Sequence, residues 1–224
     1  MTPLRVGLGR ALPPFTGGLD VELCEAIAAR LGTSARFHEL GDEVVDALGR
    51  GDVDCAAGGL VATQDADVDF GAPYLLTSCA LAVNAGRLPG IASVDGLAGA
   101  VVGVRRDGPG RPIAERLVTD GRAGSMRSYP DLAAAAADLG TGACDAVVDL
   151  QPVLIEAART LPDVDVVAGR LARAAVALAV RSDDPAPAQR LAEAQAALEE
   201  DGTLARLRRR WLGNPHLDHG LSRH

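Results

Sequence analysis

The chain has 224 residues, 48% of them apolar, which is enough to bury the core of one large domain or two small ones. Its formal net charge of -8 excludes a nucleic-acid or anionic-membrane surface as the expected partner, because both need clustered cations. No stretch approaches the roughly 20 apolar residues that cross a bilayer, so no direct membrane insertion is expected. The first predicted strand begins directly after Pro3, without a signal peptide, so the sequence leaves the compartment open.

Predicted strands and helices alternate along the chain, and this order is typical of mostly parallel sheets covered by helices, an α/β fold. Strands are predicted at residues 4–8, 35–40, 53–57, 78–84, 101–104, 124–129, 146–149, 164–168 and 175–181. Helices are predicted at residues 21–31, 43–48, 112–118, 131–139, 154–161, 187–200 and 203–211. Residues 214–224 are expected to form a flexible tail.

An apolar run, ALAV, occurs twice, at residues 80–83 and 177–180. The two runs stand at the ends of an inner strand-helix block. This placement predicts a second lobe, residues 85–180, inserted into a first lobe made of residues 4–84 and 181–213. The runs would then be hinge strands that allow the lobes to close around a ligand. In open sheets of this kind, ligands bind at the carboxyl ends of the strands.

Several segments together resemble the bacterial extracellular solute-binding proteins of the polar amino acid type, family 3, over residues 4–213. They are LRVG with PPF, GLDVELCEAIAARLG, GDVDCAAGGL, VDFGAPY, SVDGLAGAVVGV, CDAVVDLQPVL and DGTLARLRRRWLG. The resemblance implies a two-lobed, type II periplasmic-binding-protein-like fold outside the cytoplasm. It also implies delivery of a small solute, an amino acid or a small organic anion, to an ABC transporter permease. We expect a monomer with no cofactor.

In this family the strand-end motif Gly-Met-Thr-x-Thr-Pro-Glu-Arg supplies a Thr and an Arg that hold the α-carboxylate of the ligand. Arginine suits that role because its planar fork makes two parallel bonds. The matching stretch here begins at Gly59 and has Val61 in place of the Thr and Ala66 in place of the Arg. Acidic Asp65 and Asp67 also occupy this loop. A free carboxylate is therefore expected to be poorly held there.

The family motif Asp-Ala-Val-x-x-Asp-x-Pro of the second lobe binds the ligand ammonium through its second Asp. That slot is Leu150 here, and the nearest carboxylate, Asp149, stands one residue early. One position along a strand turns a side chain to the opposite face. If the strand has already ended, Asp149 or Gln151 would still reach the ligand. The charge clamps of both lobes are thus predicted to be displaced.

Three interpretations stay open. The chain binds a different, anionic solute through Arg10, Arg105 or Arg106; or it binds an amino acid through a relocated clamp; or it is a relict or sensory module without a ligand. For each arginine, the alternative is a solvated position in a loop. For Phe15 and Tyr74 the alternative is packing within a lobe, and for Thr63 it is capping of a turn. The candidate ligand-binding residues are Arg10, Phe15, Gly59, Leu60, Val61, Thr63, Tyr74, Arg105, Arg106, Asp107, Gly108, Asp149 and Gln151.

The enzyme alternative rests on the resemblance of some dehydratases to this fold. Such an enzyme needs an acid or base in the cleft, and Glu22, Asp20 and Asp149 are the candidates, although Asp20 is predicted to cap the first helix. No nucleophile elbow or P-loop is present, so no catalytic residue is expected.

The cysteines are far apart in the sequence and lack metal-binding spacing, so no metal site is expected. They are predicted to be buried free thiols, with one disulfide as the alternative. They are Cys24, Cys55, Cys79 and Cys144.

Overall fold

The structure, a computed structural model, describes residues 2–63, 68–183 and 185–213. It divides into two compact units. Unit 1 contains the chain up to Leu75 and from Ala175 onwards, and unit 2 is the continuous segment Leu76–Ala174. The predicted lobe boundaries, at residues 84/85 and 180/181, therefore lie later in the chain than the boundaries of the units.

The elements alternate as the sequence predicts. The strands are β1 (Leu4–Leu8), β2 (Ala35–Glu39), β3 (Cys55–Ala57), β4 (Asp69–Phe70), β5 (Leu75–Asn84), β6 (Val101–Arg105), β7 (Ser125–Tyr129), β8 (Ala146–Leu150), β9 (Val164–Val176) and β10 (Ala179–Val180). The helices are α1 (Asp20–Arg30), α2 (Val44–Gly49), α3 (Arg111–Thr119), α4 (Leu132–Thr141), α5 (Gln151–Ala158), α6 (Pro185–Glu200) and α7 (Thr203–Leu212). None of the helices in the described part of the chain is long and apolar enough to cross a membrane.

The two units contain sheets of the same design. The sheet of unit 1 has the order β2-β1-β3-β10-β4, and that of unit 2 the order β7-β6-β8-β5-β9. In each sheet three strands run parallel, and one antiparallel strand pairs with the third of them: β10 with β3, and β5 with β8. The predicted α/β fold with mostly parallel, helix-covered sheets is confirmed.

The first ALAV run lies within one of these antiparallel strands, the second run ends in the other, and both are nearly free of solvent contact. One belongs to β5 of unit 2, and the other lies at β10 of unit 1. Neither run contains the point where the chain passes from one unit to the other, which lies after Leu75 and after Ala174. Their apolar character follows from their position as inner strands of covered sheets.

Local signals explain one end of each of two helices. Helix α1 buries Leu23, Cys24, Ile27 and Ala28 at helical spacing, as predicted, and Gly32 follows it with a positive φ of 70°. Helix α5 begins at Gln151, three residues before the predicted start, because Pro152 is favoured in the first turn of a helix.

Candidate functional site

The carboxyl end of β3 in unit 1 is organised around a buried carboxylate, Asp20. Its Oδ2 accepts from the backbone N–H of Gly58 at 2.7 Å and of Gly59 at 2.8 Å, and its Oδ1 accepts from the Tyr74 hydroxyl at 2.6 Å. Burial raises the pKa of Asp20 above its usual range, and the three hydrogen bonds oppose that rise without cancelling it. The prediction that Asp20 caps α1 is wrong: Leu19 occupies the N-cap position, and the Asp20 side chain bonds the glycine pair instead.

The glycine pair is required by its conformation and by its neighbours. Gly58 and Gly59 have φ values of 131° and 67°, a region that other residues rarely adopt. A Cβ atom on Gly59 would lie 2.7 Å from the Phe15 ring. Phe15 and Tyr74, both predicted ligand residues, are fully buried in unit 1.

The chain after Gly59 runs beside residues 175–177, which belong to the same unit. The Leu60 carbonyl accepts from the Ala177 N–H at 3.0 Å, and Val61 forms an isolated bridge with Val176. Leu60 and Val61 are half-buried, and Thr63 is exposed. The acidic residues predicted for this loop, Asp65 and Asp67, and Ala66 at the family's Arg position lie outside the described residues.

Arg10, the arginine candidate of unit 1, is bonded to Asp42. Its Nε and Nη2 atoms donate to the two oxygens of that carboxylate, and about half of each side chain is exposed. The positive charge of Arg10 is therefore already compensated by a neighbour within its own unit.

The carboxyl ends of β6 and β8 in unit 2 hold a second arginine–aspartate pair. Arg105 Nε lies 2.5 Å from Asp149 Oδ2, and Arg105 Nη2 lies 2.9 Å from Asp149 Oδ1. The Asp149 side chain is fully buried, while 18% of the Arg105 side chain is exposed. Burial by itself would lower the pKa of Arg105, but the hydrogen bonds and charge of Asp149 outweigh it and raise the pKa.

The strand register explains this contact. Val104 pairs with Val148 across β6 and β8, so the next residues, Arg105 and Asp149, are neighbours on the same face. Asp149 was expected to reach the ligand if the strand ended before it. Because β8 continues to Leu150, that condition is not met. Leu150, at the ammonium slot of the family motif, has no exposed surface.

The loop after β6 folds back on itself before α3. The Gly108 N–H donates to the Arg105 carbonyl at 3.1 Å, and the Arg106 N–H donates to the Tyr129 carbonyl at 2.8 Å. The side chains of Arg106 and Asp107 are exposed, while Gly108 is buried. Gly110 lies so close to β8 that a Cβ atom there would be 2.0 Å from the Val148 carbonyl oxygen.

Gln151 begins α5 directly after β8 and lies beside β5. Its Oε1 accepts a long hydrogen bond of 3.4 Å from the Ser78 hydroxyl, and the residue is half-buried. Ser78 was not among the predicted site residues. The β5–β8 register, which brings Cys79 opposite Leu150, is what places it here.

The candidate acids for catalysis all have partners. Asp20 and Asp149 are bonded as described, and Glu22 forms an ion pair with Arg210 at 3.0 Å. The cysteines are buried free thiols, and they are Cys24, Cys55, Cys79 and Cys144.

Comparison with known proteins places these features in a family. The L-cystine-binding protein TcyJ of Escherichia coli (strain K12) is 26% identical over 222 residues, which cover 94% of this chain and 82% of that protein. The solved structure of an ancestral arginine-binding protein bound to arginine has a TM-score of 0.85 at 26% identity, covering 95% of this chain and 99% of its own.

A third similar protein is the amino acid ABC transporter substrate-binding protein AbpA of Streptococcus pneumoniae Canada MDR_19A bound to L-arginine. Its TM-score is 0.80 at 26% identity, with 92% of both chains covered. The family model for bacterial extracellular solute-binding proteins, family 3, matches residues 4–214. The chain belongs to this family of bacterial extracellular solute-binding proteins.

Proposed function

We propose that the chain is the substrate-binding component of an ABC importer and binds a small solute of the amino acid class or closely related to it. The observation that supports this most directly is the similarity to an arginine-bound structure over 95% of the chain. The cystine-binding relative covers 94% of the chain and supports the same general activity.

The proposed ligand contacts are the exposed and half-buried candidates at the strand ends of each unit. In unit 1 these are Arg10, Leu60, Val61 and Thr63, and in unit 2 they are Arg105, Arg106, Asp107 and Gln151. Closure of two lobes around the solute stays a prediction of the family resemblance.

Buried residues of the two strand-end regions are proposed to support the site rather than to touch the solute. The Gly59 N–H is already bonded to Asp20, and the Tyr74 hydroxyl is bonded to the same carboxylate. Phe15 packs against Gly59 with no exposed surface. The rigid strand end that results is suited to hold the loop that follows it.

A thermal-shift screen over L-amino acids, cystine, polyamines, small organic anions and sugars tests this function. A ligand that binds only the folded state at 100 times its Kd stabilises the protein by about 2.7 kcal/mol. For a chain of this size that corresponds to a rise in Tm of roughly 5–10 °C.

Enantiomers are the matched control, since a built site distinguishes L- from D-arginine whereas adventitious charge pairing does not. A stereoselective shift supports the proposal. Absence of any shift across the panel would refute it and would leave the relict or sensory module as the better interpretation.

A further inference from the structure

In the strand-end pair of unit 2, Asp149 is bonded within the protein and buried, whereas Arg105 still has donors to offer. Asp149 accepts two bonds from Arg105 and a third, of 2.7 Å, from the Leu150 N–H, and it has no exposed surface. A carboxylate in this state has no accessible oxygen for a solute ammonium group. Asp149 therefore serves the protein rather than the ligand.

Arg105 has donors left over. A guanidinium has five N–H donors, and Asp149 accepts from Nε and Nη2. Within residues 2–63, 68–183 and 185–213, no other group accepts from the Arg105 side chain, and 18% of that side chain is exposed. Two N–H groups on Nη1 and one on Nη2 thus have no acceptor in the described part of the chain, and the bidentate bond to Asp149 holds the guanidinium rigid.

Two residues close in the chain to Arg105 and Asp149 carry further donors. Arg106 is exposed, with no side-chain partner among the described residues, and Gln151 uses its carbonyl oxygen to accept from Ser78, which leaves its amide N–H groups. The one other carboxylate of this loop, Asp107, is exposed and contributes only a distant attraction to Arg105. A solvated carboxylate of that kind is a weak anchor for an ammonium group.

Replacing a buried ion pair by hydrophobic residues of similar volume often leaves a protein as stable or more so, so stability alone does not account for this pair. In this pair the aspartate is buried and the arginine is partly exposed, an arrangement suited to binding an anionic ligand through the arginine. A planar guanidinium with a free edge is suited to a carboxylate, which it meets with two parallel bonds.

Building on the proposed function, we propose that Arg105 binds the carboxylate of the solute, and that the solute class is small carboxylates that need no α-ammonium group. Asp149 orients the guanidinium and, because it is fully buried and bonded within the protein, it is not the acceptor that would select an amino acid. The chain then tolerates loss of the amino group from its ligand.

The experiment compares ligands that differ only in the amino group: L-alanine with propionate, L-leucine with 4-methylpentanoate, and L-glutamate with glutarate. Binding is measured by calorimetry on the full chain. In at least one pair we expect the deaminated acid to bind as tightly as the amino acid or within about threefold of it.

Three variants locate the site. Arg105→Lys keeps the charge beside Asp149 but loses the fork, and we expect carboxylate affinity to fall by about tenfold or more. The double variant Arg105→Met with Asp149→Leu removes both charges together, which avoids a buried unpaired ion, and it should fold without binding carboxylates.

Arg87→Met is the matched control, because Arg87 pairs with Asp145 at 3.0 Å at the opposite end of the same sheet. It should bind carboxylates as the unchanged protein does.

The outcomes separate the two proposals. Binding of amino acids with at least about tenfold weaker binding of every deaminated partner overturns this inference and leaves the proposed function standing. Unchanged carboxylate affinity in Arg105→Lys, or in the folded double variant, also overturns it, since the anion then binds elsewhere. No binding of either ligand class overturns the inference and the proposed function together.

Discussion

The Tyr74 hydroxyl provides a direct test of how much the buried Asp20 cluster contributes to unit 1. Tyr74→Phe removes one of the three donors to Asp20 while keeping the aromatic ring in place. Both residues have no exposed surface, so water cannot replace the lost bond. A hydrogen bond to a charged group contributes about 1.5–3 kcal/mol, so we expect a loss near 2 kcal/mol and a Tm lower by roughly 4–8 °C.

The pH dependence of this loss has a defined sign. The Tyr74 bond stabilises the ionised form of Asp20, so its contribution is present above the pKa of Asp20 and disappears as the pH falls through it. Burial raises that pKa above the ordinary value of 3.8, so the difference between protein and variant should begin to shrink at a higher pH than for an exposed carboxyl. The raised pKa of Asp20 by itself has the opposite effect on stability. It stabilises the folded state below the ordinary pKa of an aspartate, and this stabilisation is lost as the pH rises through the pKa of Asp20 in the folded protein.

The second tyrosine of the chain is the matched control. The Tyr129 hydroxyl also donates to an aspartate, Asp138, at 2.8 Å, but 37% of that carboxylate side chain is exposed. Tyr129→Phe should therefore lose only about 0.5–1 kcal/mol. Urea unfolding followed by circular dichroism measures both variants, and fluorescence of the single tryptophan, Trp211, reports on unit 1. Equal losses in the two variants would show that burial of the acceptor does not decide the effect.

Two further predictions concern buried groups near the strand ends. Gly59→Ala should destabilise by about 2–4 kcal/mol because its Cβ meets the Phe15 ring at 2.7 Å in a positive-φ conformation. Gly17→Ala, with similar φ but nothing within 4 Å, should lose only about 1 kcal/mol in the same urea assay, and equal losses would argue against the contact. Burial, followed by the negative charge of Asp149, raises the pKa of Cys79 to about 11, so its alkylation should accelerate about tenfold per pH unit from pH 8 to 10. Mass spectrometry of the Cys79 peptide checks this, and a rate independent of pH would contradict it.

Much of the fold can be predicted from periodicity, because each element is set by residues near one another in the chain. The β1 bounds agree with prediction, those of α1 differ by one residue at each end, and β6 ends one residue later than predicted. The short strand β4 was not predicted, since two residues give no periodic signal. Strand β9 extends to Val176, well beyond the predicted end at residue 168, because glycine and arginine in its middle interrupt the apolar pattern.

Pairings within the candidate site depend on strand order, which periodicity does not contain. Arg105 and Asp149 are separated by 44 positions in the chain, and they meet because β6 and β8 are adjacent and in register. The sequence predicted both residues as ligand contacts, each considered separately. Their mutual pairing changes what each can offer a solute, since one charge satisfies the other.

The partners of Asp20 also could not be predicted from neighbouring residues in the sequence. A local rule assigns an aspartate at the start of a helix to capping, where its side chain accepts one hydrogen bond from a nearby N–H. The folded chain instead offers it three donors, two of them from glycines that follow β3 and one from Tyr74. Three bonds to a buried carboxylate outweigh one cap at a solvated helix end. The local preference therefore loses to a tertiary arrangement that exists only once β3 has brought the glycine pair to α1.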